Sequence, residues 1–86
     1  MKILVLGSSG LIGSNLVKRL KDEGHFVCGV DIEDSKYIRP DFFIQGDLRD
    51  PVFCESVFLR PFDRVYQLAA DMGGAGFIFT GDNDAD

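Results

Sequence analysis

The chain has one histidine, two cysteines and fewer basic than acidic side chains, and each shortage closes off a class of chemistry. Nine Lys and Arg against fourteen Asp and Glu leave a formal charge of −5. Such a chain repels a nucleic-acid backbone or an anionic lipid surface, so neither nucleic acid nor membrane is expected as a partner. No apolar run approaches the roughly 18 residues that a membrane-spanning helix needs. His25 stands alone after Gly24 at a predicted strand start, and no metal cluster can be built around it. Cys28 and Cys54 lie in apolar settings without CxxC spacing and are read as buried, reduced thiols. The opening MKILVLGSSGLIGS is interrupted by Gly7 to Gly10 and lacks an A-x-A-like cleavage site. A secretory leader is therefore not expected, and the cytoplasm is the expected location.

What is present is a globular composition, 45% apolar, in 86 residues without internal repeats. That is enough for one small domain burying roughly 60–65% of its unfolded surface. Apolar strand runs alternate with helical patterns. KILVL (residues 2–6) is nearly continuous in apolar residues, as a parallel strand covered on both faces should be. Over residues 11–23, Leu11, Ile12, Leu16, Val17 and Leu20 share one helical face, with Lys18, Arg19, Lys21 and Asp22 largely opposite. Gly24 is placed to end that helix. HFVCGVD (25–31) is a second strand, the polar IEDSKYIRPD (32–41) a loop, and FFIQGD (42–47) a short third strand. Asp50 before Pro51 reads as an N-cap with proline at the first helical position, which predicts a helix over 51–59. DRVYQLAA (63–70) is a fourth strand.

This order predicts an α/β fold: a Rossmann-like parallel sheet of strand order 3-2-1-4 with helices on both faces. It is incomplete, because no helix follows the fourth strand to cover its flank. An exposed apolar flank invites pairing, so residues 1–80 are expected to be the N-terminal part of a longer domain or to associate. GDNDAD (81–86) has the alternating acids that open a calcium loop but lacks the following glycine and bidentate glutamate. It is read as an acidic tail or the start of a further helix. Phe42, Phe43, Phe53, Phe58 and Phe62 are expected in the core or an interface, since no basic groove accompanies them.

The chemistry concentrates in two short segments. LGSSGLIGS (6–14) spaces Gly7, Gly10 and Gly13 three apart between the first strand and the first helix. Gly7 permits the turn, Gly10 lets a pyrophosphate approach the backbone, and Gly13 lets the helix pack against the sheet. The helix amino terminus then offers N–H groups and partial positive charge to the phosphates. Asp31 ends the second strand eighteen positions after Gly13 and can accept bonds from both hydroxyls of an adenosine ribose. Charge-assisted bonds of this kind contribute roughly 1.5–3 kcal/mol. Asp31 would also repel a 2′-phosphate, and no arginine follows it or stands in the glycine loop, where Ser8 and Ser9 lie. NAD is favoured over NADP. In GDLRD (46–50), Asp47 can accept from the adenine amino group and Leu48 can pack on its ring, while Asp50 suits the helix cap. A methyltransferase also places acids after its second and third strands, but its usual GxGxG loop differs from the spacing here.

The three-and-three glycine spacing, Asp31, GDLRD and LAA after the fourth strand together resemble the extended short-chain dehydrogenase/reductase superfamily of NAD-dependent nucleotide-sugar epimerases and dehydratases. Within it, LAADMGGAGFI (68–78) is similar to the loop of the GDP-mannose 3,5-epimerase subgroup. The resemblance implies an isomerase that binds NAD and a GDP-mannose-like nucleotide sugar and works as a homo-oligomer. Sugar C4 is oxidised, the neighbouring centres are inverted, and the hydride is returned. It implies that Gly7, Ser9, Gly10, Leu11, Ile12 and Gly13 hold the pyrophosphate side of the cofactor. Asp31 and Ile32 would take the adenine ribose, Asp47 and Leu48 the adenine, and Leu68, Ala69 and Ala70 the middle of the cofactor. Gly73, Gly74 and Gly76 would approach the substrate. Leu6 stands where the superfamily usually has Thr, and Gln67 where many members have His. The superfamily's catalytic Tyr-x-x-x-Lys is absent: four residues after Tyr37 comes Asp41, and four after Tyr66 comes Ala70. No catalytic residue is therefore assigned within the chain, which alone is expected to be inactive. A non-catalytic NAD-binding or sensor module of the same fold is the alternative reading.

Overall fold

The computed structural model describes residues 1–69. Its central strand, β1 (Lys2–Leu6), buries every side chain after Lys2 and divides them between two faces. Leu4 and Leu6 point into one apolar cluster, Ile3 and Val5 into another. A strand covered on both sides leaves no polar face to the solvent, and that is why KILVL reads as an unbroken apolar run. After β1 come α1 (Leu11–Asp22), β2 (Phe26–Asp31), β3 (Phe42–Gln45), α2 (Pro51–Phe58) and β4 (Arg64–Gln67). The four strands form one parallel sheet of order β3-β2-β1-β4, the predicted order. Leu4 lies opposite Cys28 on one side and Val65 on the other.

The two helices cover opposite faces. Cys54 and Val57 of α2 pack with Leu4, Leu6, Cys28, Val30 and Leu48. Val17 and Leu20 of α1 pack with Ile3, Val5 and Val27. Both cysteines are buried free thiols. Phe53, Phe58 and Phe62 pack against the α2-side cluster, whereas Phe42 is exposed at the start of β3 beneath the Arg60 guanidinium.

The helix ends follow their local chemistry. Asp50 caps α2, its carboxylate accepting from the Val52 N–H at 3.0 Å, with Pro51 at the first helical position. At the far end of α1, the Gly24 N–H donates to the Lys21 carbonyl and the His25 N–H to the Leu20 carbonyl. This double closure requires a left-handed residue, and Gly24 takes φ +89°. The chain then enters β2 at once.

Two expectations about these elements are corrected. Leu11 and Ile12 do not join the buried face of α1; they are 62% and 73% exposed. The first turn instead approaches the sheet through Gly13 and Ser14, both buried, so the contact face runs through 13, 14, 17 and 20. That rotation carries Leu11 and Ile12 outward. Strand pairing also stops earlier than predicted in β3 and β4, at Gln45 and Gln67. Single backbone bonds, Gly46 N–H to the Asp31 carbonyl and Leu68 N–H to the Leu6 carbonyl, follow the last paired residues.

Candidate functional site

The glycine loop leaves β1 at Gly7, whose φ of +86° is the left-handed region. Its N–H donates to the Val30 carbonyl at 2.7 Å, holding the loop across the end of β2. A Cβ at Gly7 would stand 2.8 Å from the Ala69 nitrogen. A Cβ at Gly13 would collide with the carbonyl oxygen of Gly7 and stand 3.0 Å from the Ser8 Cα. These two glycines let loop, helix and sheet touch.

Gly10 is different. A Cβ there would meet nothing within 4 Å, so the space beside it is open. Gly10 is also the N-cap of α1, with no side-chain cap and no acid in the first turn. The Ser14 hydroxyl is turned away to the Gly10 carbonyl at 2.7 Å. The first amides of α1 therefore face an open approach with the positive end of the helix dipole behind them, a ready site for an anion.

Asp31 sits at the tip of β2 beside this loop. Its Oδ2 accepts from the Ser9 N–H at 3.0 Å and its Oδ1 from the Glu33 N–H at 3.2 Å. The Ser9 hydroxyl donates to the Glu33 carbonyl, and the Gln45 amide to the Ile32 carbonyl. These bonds fix the turn that presents Ile32 with its side chain largely exposed. Beyond β3, Asp47 is gripped by Arg49: Nε reaches Oδ1 and Nη2 reaches Oδ2, each at 3.0 Å. The Arg49 guanidinium, aided by its backbone N–H, holds the Asp47 carboxyl below the usual carboxylate range.

One cleft of about 470 Å³ gathers these groups, with Gly7 and Gly10 on one side, Asp31 and Ile32 at the end of β2, and Asp47 and Arg49 beyond β3. Leu48, Leu68 and Ala69 complete its wall. Leu48 is 95% buried and belongs to the α2-side core while also lining the cleft. A second groove of about 400 Å³ is bordered by Leu11, Ile12, Gly13 and Leu68. The outward turn of Leu11 and Ile12 thus places them at the mouth of the glycine loop. Ala70, Gly73, Gly74 and Gly76 lie outside the described residues. Among the described residues no group of three or more His, Cys, Asp or Glu could hold a metal ion, and no helix is long and apolar enough to cross a membrane.

Arg49 is the cleft residue that the sequence reading passed over. Its signal was present as the Asp-x-Arg spacing of GDLRD, but a contact between residues two apart depends on the turn that joins them. Gln67 was noted only as a departure; its side-chain oxygen accepts from the Ala69 N–H at 2.7 Å and bends the chain after β4.

The position of the cleft, at the carboxyl ends of parallel strands beside a glycine loop, is where open α/β sheets bind ligands. The model of a family described as NAD dependent epimerase/dehydratase matches residues 3–84. The chain belongs to this family. Its sequence is 39% identical over 82 residues to GDP-mannose 3,5-epimerase 1 of Oryza sativa subsp. indica, covering 91% of this chain and 21% of that protein. In structure it is similar to a UDP-glucose 4-epimerase of Thermotoga maritima solved with UDP-glucose. The TM-score is 0.70 at 34% identity, over 83% of this chain and 25% of that one. It is also similar to MoeE5 in complex with UDP-glucuronic acid and NAD, with a TM-score of 0.68 at 32% identity, over 83% of this chain and 23% of that one. The chain spans about a fifth of the length of the curated relatives it matches.

NAD is the cofactor of this epimerase/dehydratase family, and the residues of the cleft fit it. The open space at Gly10 and the uncapped helix amides suit a pyrophosphate, and the half-buried carboxylates of Asp31 at the end of β2 and Asp47 beyond β3 suit an adenosine.

Proposed function

We propose that this chain is the NAD-binding portion of a nucleotide-sugar epimerase. The observation that carries the reading is the convergence of Gly10, Asp31 and Asp47 on one cleft. The α1 amides over Gly10 bind the pyrophosphate, with Gly7, Ser9 and Gly13 shaping the loop and Leu11 and Ile12 shielding its mouth. Asp31 accepts the ribose hydroxyls and repels a 2′-phosphate. Ile32 covers the adenosine, Asp47 accepts from the adenine amino group, and Leu68 with Ala69 and Ala70 lines the path toward the nicotinamide.

Bound NAD supplies a hydride acceptor that makes a ketone of a sugar hydroxyl and a donor that later restores it. The chain's own part is to fix the dinucleotide and keep its adenosine end in register. The titratable side chains lining the described cleft, Asp31, Asp47 and Arg49, all serve the adenosine end in this reading. We assign the acid and base groups for the sugar to sequence outside this chain. The substrate we propose is a GDP-mannose-like nucleotide sugar, approached by Gly73, Gly74 and Gly76; the similarity to the plant 3,5-epimerase supports it. A cytoplasmic homo-oligomer is part of the same proposal.

Thermal melting with added dinucleotides tests the cofactor assignment. NAD should raise the melting temperature, while NADP and S-adenosylmethionine at equal concentration should not. A shift with S-adenosylmethionine alone would instead identify a methyltransferase. For the reaction, the 86-residue chain incubated with NAD and GDP-mannose should form neither NADH nor an epimerised product. Turnover by this chain would refute the placement of the acid and base groups.

A further inference from the structure

The Asp47–Arg49 pair is more elaborate than an exposed ion pair requires. Three donors of one residue converge on the carboxylate: the Arg49 N–H at 2.9 Å and Nε at 3.0 Å on Oδ1, and Nη2 at 3.0 Å on Oδ2. Nε also reaches Oδ2, at a longer 3.3 Å. Both side chains keep substantial solvent exposure, 60% for Arg49 and 40% for Asp47, so the pair adds little to folding stability. What the fork does supply is orientation. A planar guanidinium gripping both oxygens removes the rotation of the carboxylate, which a single bond would leave free.

A carboxylate has about four acceptor positions. Oδ1 accepts two short bonds, whereas Oδ2 accepts one short bond from Nη2 and only the longer arm of an Nε–H shared with Oδ1. The oxygen with acceptor capacity to spare is therefore Oδ2, in a group that lines the cleft. An acceptor that cannot turn and cannot donate welcomes an amino group and rejects a carbonyl.

We propose that Arg49 is a positioning residue for cofactor selection, holding Asp47 so that its less engaged oxygen, Oδ2, admits a 6-amino purine and excludes a 6-oxo purine. The proposal rests on the reading of the cleft as the adenosine site. It assigns no contact with the base to Arg49 itself. The low pKa of Asp47 agrees with it, since a carboxylate that stays charged cannot become a donor.

Isothermal titration of NAD and of nicotinamide hypoxanthine dinucleotide into the protein tests this. The native protein should prefer NAD by about tenfold or more. In Arg49→Ala that preference should shrink to about threefold or less, with an unchanged melting temperature in the absence of ligand. Arg49→Lys, which keeps the charge but not the fork, should fall between the two. Asp47→Asn, which can present either an acceptor or a donor, should lose the preference. Arg49→Ala retaining the native ratio would overturn the proposal while leaving the cofactor site intact, and so would a native protein that binds both dinucleotides equally. Failure of the native protein to bind NAD would overturn the adenosine reading along with it.

Discussion

The backbone N–H of Ser9 donates to Oδ2 of Asp31 across 3.0 Å, joining the glycine loop after β1 to the tip of β2. The group that would hold the phosphates and the group that would hold the ribose are thus one connected unit. A ribose accepted by Asp31 shares its carboxylate with the loop, so loop position and ribose position cannot vary independently. Asp31→Ala removes both the ribose acceptor and this tie. NAD affinity should fall by about tenfold or more, the loss expected of a charge-assisted bond. Titration calorimetry against the native protein measures it, and an unchanged dissociation constant would remove Asp31 from the site.

Two glycines of the same loop should respond in opposite ways to the same methyl group. At Gly13 a Cβ meets backbone atoms of Gly7 and Ser8, which cannot swing aside as a side chain would. Gly13→Ala should destabilise the fold by about 1–3 kcal/mol, seen as a melting temperature lowered by several degrees. At Gly10 the Cβ has open space, and the backbone (φ −73°, ψ 175°) is one that alanine adopts freely. Gly10→Ala should melt close to the native protein yet bind NAD more weakly, because the methyl occupies the phosphate approach. Equal loss of stability in both variants would contradict this division.

The Cys28 thiol makes folding sensitive to alkali. Burial raises it from the ordinary 9.0 to about 11, outweighing the downward pull of the Arg60 and Lys2 charges. The folded protein holds this proton more tightly than the unfolded chain, so its contribution is complete below about 9 and declines as pH rises toward 11. Urea unfolding of the native protein and of Cys28→Ala between pH 8 and pH 11 separates this group from others titrating there. The stability advantage of the native protein should narrow across that window. Cys54, also raised by burial, is common to both proteins and drops out of the comparison. Parallel curves would show that Cys28 does not titrate in this way.

Much of the sheet was readable because its strands offered no competing pattern. An apolar run such as Ile3 to Leu6 between a lysine and a glycine has one plausible place, the middle of a doubly covered parallel sheet. Asp50-Pro51 and Gly24 were equally legible, since capping chemistry is local to the residues that carry it. The errors arose where packing depends on small residues. A helical-wheel reading credits Leu11 and Ile12 with the sheet contact, but Gly13 and Ser14 make it, because only small side chains fit against Gly7 and Ser8. The cleft was legible through Gly10, Asp31 and Asp47, whose residue types match their tasks. Arg49 was not, because its role follows from the turn at 47–49 and from no property of arginine alone.

The central claim is that the cleft at the carboxyl ends of the strands receives NAD. Amide chemical-shift mapping of the isotopically labelled protein during an NAD titration tests it most directly. The amides of residues 8–13, 31–33 and 47–49 should move together and saturate with one dissociation constant. Those of Lys2, Phe26 and Phe42, which border a hollow of about 310 Å³ elsewhere on the surface, should stay in place. Shifts confined to that hollow, or no saturable shifts at all, would contradict the assignment.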